Sequence, residues 1–210
     1  MTRSGTRPRL PTRGRDLAWT WFLVVTPAEF LGFVSPAVAG AVTADRSAAV
    51  TLPVMLVAGA IEGAALGGGQ AWVLRRALPS VSTWRWVAAT AAAAMFAYFA
   101  GLAPSTWASA LLGTPLFWPV IAVLGVALLL SIGFAQWLLL RRHVADSARW
   151  IVTTAGAWLL GLAVFMGVVT PLWQPGQSLT TTILVGVLGG LLMAATTSAL
   201  TALALRSLLG

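Results

Sequence analysis

Gly67-Gly68-Gly69-Gln70-Ala71-Trp72-Val73-Leu74-Arg75-Arg76 and, 66 residues later, Gly133-Phe134-Ala135-Gln136-Trp137-Leu138-Leu139-Leu140-Arg141-Arg142 spell one helix ending twice. Both follow the pattern Gly-x-x-Gln-x-x-x-Leu-Arg-Arg and both close a long apolar run. A third, degenerate copy keeps a small residue at Ser198, a hydroxyl at Thr201 and one arginine at Arg206. Further out on the same runs lie Gly59, Gly125 and Gly190, and each related pair of runs opens near Trp19, Trp84 or Trp150. Matched features at constant offsets mark an internal repeat of 65 or 66 residues.

Hydropathy gives the repeat its setting. The chain is 59% hydrophobic and 9% charged, with a mean hydropathy of +0.89, against about 25% charge in soluble domains. Apolar runs at about 17–40, 52–74, 85–103, 116–140, 150–170 and 179–205 are near or above the ~20 residues that cross a bilayer as helix. The expected fold class is therefore all-α, a polytopic membrane protein. Six transmembrane helices would form three parallel two-helix repeats, at about 17–75, 84–141 and 150–206, in one domain over 17–210. An even number of spans per copy keeps the copies parallel, which implies a pseudo-threefold axis along the membrane normal.

Charge sets the expected orientation. All thirteen basic residues are arginine, and only Arg46 falls on the side opposite the rest. Positive charge is retained in the cytoplasm during insertion, so the arginine-rich segment 1–16, the linkers after Arg76 and Arg142, and both termini are expected to be cytoplasmic, in a bacterial inner membrane. Residues 17–40 are read as a retained helix rather than a cleaved export signal: the run is long, contains Glu29 and supplies the first repeat. The net charge of +8 lies in arginines that border apolar runs instead of forming one basic face, which argues against nucleic acid. Membrane lipids are the expected partners, with a protein partner or homo-oligomer left open. Arg75, Arg76, Arg141 and Arg142 are read as orientation and lipid-headgroup contacts.

Side chains with chemistry are few. Glu29 and Glu62 are the only acids inside the apolar runs, where a charge costs at least ~2.5 kcal/mol. In the register set by Trp19, Trp84 and Trp150, Glu29 corresponds to Ala94 and Leu160, and Glu62 to Leu128. With Gln70, Tyr98 and Gln136 they make up the candidate ligand or proton site, the two glutamines being read first as interhelical hydrogen-bonding groups. Pro27 predicts a kink in the first helix. Small residues at four-residue spacing, Gly59, Gly63 and Gly67 among them, predict close helix contacts, placed either between helices or around the centre. Residues 104–119 are expected to lie in the interface or to cover a central opening. Most tryptophans read as interfacial belts, with Trp158 unusually deep in its run.

No cysteine is present, and the single histidine, His143, has no companion ligands, so neither a metal site nor a cofactor is expected. No phosphate-cradling loop, HExxH or nucleophile elbow occurs, and no enzymatic activity is expected. The doubled helix ending, the tryptophan that follows it and the glycine-rich helix pairs resemble uncharacterised multi-pass membrane proteins of bacteria. That resemblance implies a scaffold and no activity. Two functions remain from sequence: binding or transport of a small molecule, lipid, cation or proton near Glu29 and Glu62, or a non-catalytic accessory or assembly subunit of a membrane complex.

Overall fold

The computed structural model describes residues 12–209. Seven helices follow one another: α1 (Thr12–Thr43), α2 (Ala48–Ala77), α3 (Thr83–Leu102), α4 (Pro104–Leu111), α5 (Phe117–Leu140), α6 (Arg149–Leu172) and α7 (Leu179–Leu209). Six of them, all but the eight-residue α4, are long and apolar enough to cross a membrane. This is an all-α, polytopic membrane protein.

The boundaries differ from those expected in instructive places. α1 starts at Thr12, inside the arginine-rich segment, whose residues 1–11 lie outside the described residues. It runs on through both Pro27 and Pro36 as one helix. α2 begins at Ala48, so that Pro53 falls within its early turns. At this sixth position the missing N–H removes one intrahelical hydrogen bond, that to the Ala49 carbonyl. The 104–119 stretch becomes the short α4, which touches α3 and α5 and joins them at the end opposite the arginines.

Each long helix packs on the next, α1 on α2, α2 on α3, α3 on α5, α5 on α6 and α6 on α7, and α7 returns to α1. The helices thus close a ring. Lipid is as apolar as leucine, so ring closure must come from close fit and internal hydrogen bonds rather than from hydrophobic burial alone. Fit is supplied by glycine between neighbours, not at the centre. A Cβ on Gly63 of α2 would stand 2.8 Å from the backbone oxygen of Thr90 and 2.6 Å from Ala94 Cβ, both on α3. One on Gly133 of α5 would stand 2.9 Å from the Ile151 oxygen of α6. Gly190 of α7 meets Phe33 of α1 in the same manner. Gly125, grouped with Gly59 and Gly190 by sequence, meets nothing within 4 Å.

The packed core lies at the arginine-bearing end. It gathers Trp21, Leu66, Leu74, Trp86, Leu140, Trp150 and Leu205. Toward the other end the ring is looser. α5 buries no residue before Ile132, and α6 buries none after Gly161. Large apolar side chains such as Val123, Leu160 and Leu184 point outward around the circumference, as a lipid-facing surface requires.

Candidate functional site

Where the ring loosens, it encloses a cavity of about 570 Å³. Every long helix contributes to the wall: Phe33 from α1, Glu62 and Leu66 from α2, Ala94 and Tyr98 from α3, Leu128 and Ile132 from α5, Trp158, Leu162 and Met166 from α6, and Met193 from α7. Met166 is 56% exposed while lining the cavity, so the space reaches the surface beside the C-terminal half of α6. The volume sits within the ~300–1,000 Å³ typical of small-molecule pockets.

Glu62 and Tyr98 form the polar part of this wall. The Tyr98 hydroxyl donates to Glu62 Oε2 at 2.7 Å, tying α2 to α3. Gly59, one turn along α2, makes this possible: a Cβ there would run into the Tyr98 ring. Glu62 is 5% exposed, and its second oxygen, Oε1, accepts no hydrogen bond from the described residues and is not sealed within the protein. Glu29 of α1 is fully buried, and neither of its oxygens has a partner among the described residues. It does not line the cavity, but at Gly32, one turn further along α1, an added Cβ would stand 3.0 Å from the Glu62 backbone oxygen, which sets Glu29 at the same α1–α2 contact as Glu62. Of the residues singled out from sequence, Glu29, Glu62 and Tyr98 therefore form one cluster.

Gln70 and Gln136 belong elsewhere, in a layer of polar contacts that floors the cavity. Each lies one turn toward the arginines from a cavity residue, Gln70 from Leu66 and Gln136 from Ile132. Gln136 Nε2 donates to Gln70 Oε1 at 2.7 Å and to Thr90 Oγ1 at 3.0 Å. Trp86 Nε1 donates to Gln70 Oε1 at 3.1 Å, and Trp150 Nε1 to Gln136 Oε1 at 2.8 Å. A third indole, Trp21 Nε1, donates to Thr201 Oγ1 at 3.0 Å. All three tryptophans are fully buried, whereas Trp19 and Trp84 face outward. The layer is less complete near α6 and α7, where Thr154 Oγ1 and Ser198 Oγ are buried without partners among the described residues.

The arginine pairs lie at the rim. Arg76 stacks over Trp72 at 4.0 Å, Arg75 approaches the same ring at 5.5 Å, and Arg141 sits over Trp137 at 5.2 Å. Arg142 is exposed. Ser80 Oγ and His143 Nδ1, 3.1 Å apart, join the loop after α2 to the loop after α5 and so set both on one face.

Sequence reading missed most of the cavity wall, including Phe33, Leu162, Met166 and Met193. A usable signal existed: Glu62, Leu128 and Met193 lie 66 and 65 residues apart, at the spacing of the repeat itself. Among the described residues no group of three or more His, Asp or Glu could hold a metal ion. No protein-family model, curated protein or solved structure matches this chain. Whatever is concluded about function rests on this chain's own geometry.

Proposed function

We propose that this integral membrane protein binds a largely apolar small molecule in the central cavity. The observation that carries this reading is a wall contributed by all six long helices, apolar except around Glu62 and Tyr98. Close-packed interiors leave few voids larger than a water molecule. A space of about 570 Å³ bordered by a buried acid is one that a ligand would fill. The cavity floor is closed by the Gln70–Gln136 layer and three indoles, which favours binding over an open channel. Transport would need that layer to part.

The same reading takes the three hairpins as related by a pseudo-threefold axis through the cavity. Trp21, Trp86 and Trp150, each bonded to a polar side chain on α7, α2 or α5, support a register that keeps the first two hairpins aligned as Trp19 and Trp84 align them and shifts the third by two residues. In that register Phe33, Tyr98 and Leu162 correspond, while Glu62, Leu128 and Met193 correspond in the register of Gln70, Gln136 and Thr201, and all six line the cavity. Glu29 then corresponds to Ala94 and Trp158, both cavity residues. With the arginine-bearing end and both termini in the cytoplasm of a bacterial cell, the cavity lies in the outer half of the inner membrane. The scaffold shared with uncharacterised bacterial multi-pass proteins belongs to this proposal as well.

The test is saturable binding of the neutral dye Nile red to the protein in lipid nanodiscs. One site per chain is expected, lost when Leu128→Trp fills the cavity. Binding no greater than to empty nanodiscs, or unaffected by Leu128→Trp, would refute the reading. One observation favours the accessory-subunit alternative: a surface groove of about 550 Å³ between α3 and α5, lined by Ala89, Ala92, Ala93, Ala127 and Ser131, has room for a neighbouring helix. That reading gains if Nile red fails while the protein co-purifies with a fixed partner that Ala93→Leu displaces.

A further inference from the structure

We propose that the cavity recognises a protonated amine carried on an apolar body, its cationic head held against Glu62 near Glu29. This rests on the reading that the cavity binds small molecules, and it names their chemistry. Three independent features converge on it.

The first is an imbalance of hydrogen-bonding capacity. Glu62 presents Oε1 to the cavity without a donor, and behind the wall Glu29 holds two further oxygens without partners among the described residues. The one hydroxyl in the wall, that of Tyr98, is already spent on Glu62 Oε2. A ligand that offers only acceptors meets no free donor there, except the indole N–H of Trp158. One that offers N–H groups finds an open carboxyl oxygen.

The second is charge. No arginine lines the cavity. Two buried carboxyl groups side by side lack any protein cation to offset them. Unpaired buried charge is unfavourable, so a cation bound in the cavity would supply Glu62 with the partner the protein does not give it.

The third is aromatic. Phe33, Tyr98 and Trp158 line the space from three different hairpins, on α1, α3 and α6. Aromatic faces attract cations, and rings set around an acid are a recurring means of holding ammonium groups. The rest of the wall, with Leu66, Leu128, Ile132, Leu162 and Met193, suits an apolar body.

Calorimetry on the protein in nanodiscs decides this, with phenylbutylamine, phenylbutanol and phenylbutyrate as matched probes and empty nanodiscs as the partition control. The amine is expected to bind at least tenfold more tightly than the alcohol, and the acid more weakly than either. Glu62→Gln should reduce the amine-over-alcohol preference at least fivefold, and Glu29→Gln should reduce it by a smaller factor. Should Glu62→Gln fail to fold, Glu62→Asp, which keeps the charge, is expected to retain a preference. Equal affinity of amine and alcohol for the wild type, or an undiminished preference in Glu62→Gln, would overturn the amine proposal while leaving the cavity a binding site. Absence of measurable binding by all three probes would overturn the proposal and the cavity reading together.

Discussion

Gln136 and Gln70 occupy matched places in the two Gly-x-x-Gln-x-x-x-Leu-Arg-Arg segments, and the amide of the first donates to the carbonyl oxygen of the second at 2.7 Å. Gln136 also gives a hydrogen bond to Thr90 and receives one from Trp150, so one side chain on α5 ties together α2, α3 and α6. Interhelical bonds in membranes average ~0.6 kcal/mol each. Gln136→Leu removes three and is expected to lower stability by about 2 kcal/mol. Gln70→Leu, which removes two acceptor contacts, should cost less, and the double variant less than the sum of the two, because the shared bond can be lost only once. Reversible unfolding in bicelles measures all three.

The glycine contacts separate into those that set a helix distance and those that do not. At Gly63 the neighbours of an added Cβ are backbone and a methyl group on α3, which cannot swing aside. Gly63→Ala must push α2 from α3 and is expected to cost about 1–3 kcal/mol, the usual range for overpacking. Gly125→Ala, with nothing within 4 Å, should leave stability unchanged to within about 0.5 kcal/mol. Equal effects at the two sites would remove the distinction.

How far the sequence could be read follows from the same contacts. Spans and the glutamine pair were legible, because long apolar runs, arginine borders and a doubled ten-residue ending are local patterns. The tryptophan register was not. Trp19 and Trp21, like Trp84 and Trp86, are two residues apart and so point to different sides of one helix; only packing decides which is buried. The small-residue stripe on α2 was legible, but its partner was not: short loops make both α1 and α3 its neighbours, and only packing sets Gly63 against α3. Glu29 and Glu62 could be named from the cost of burying acids. A cavity, being a lack of side chains, leaves no mark in a single sequence beyond the spacing of its walls.

Tyr98 and Gly59 are expected to act as one unit. Tyr98→Phe takes away the donor to Glu62 Oε2 and should cost about 1–3 kcal/mol, the penalty for leaving a buried polar group unpaired. Gly59→Ala should have a similar effect by displacing the ring, and adding it to Tyr98→Phe should change the hydrogen bond no further. The chain contains a single tyrosine, so ring-labelled protein gives one resonance for Tyr98. Its shift should move in Gly59→Ala and stay fixed in Gly125→Ala. An unmoved resonance in Gly59→Ala would break the link between them.

Topology can be tested without background, because the chain has no cysteine. Ser80 and His143 meet at 3.1 Å, so the loops that hold them share a face, and each pair of long helices must return the chain to that face. Exposed positions on these loops, Ser80→Cys and Ala145→Cys, should react with an impermeant maleimide only in inverted vesicles. Thr114→Cys and Gln174→Cys, on the connections at the opposite end, should react in intact cells. Labelling of the first pair in intact cells would reverse the orientation drawn from the arginines while keeping the hairpins. Labelling of Ser80→Cys and Ala145→Cys from different sides would be incompatible with two-span repeats, and with the central cavity that depends on all six helices closing the same ring.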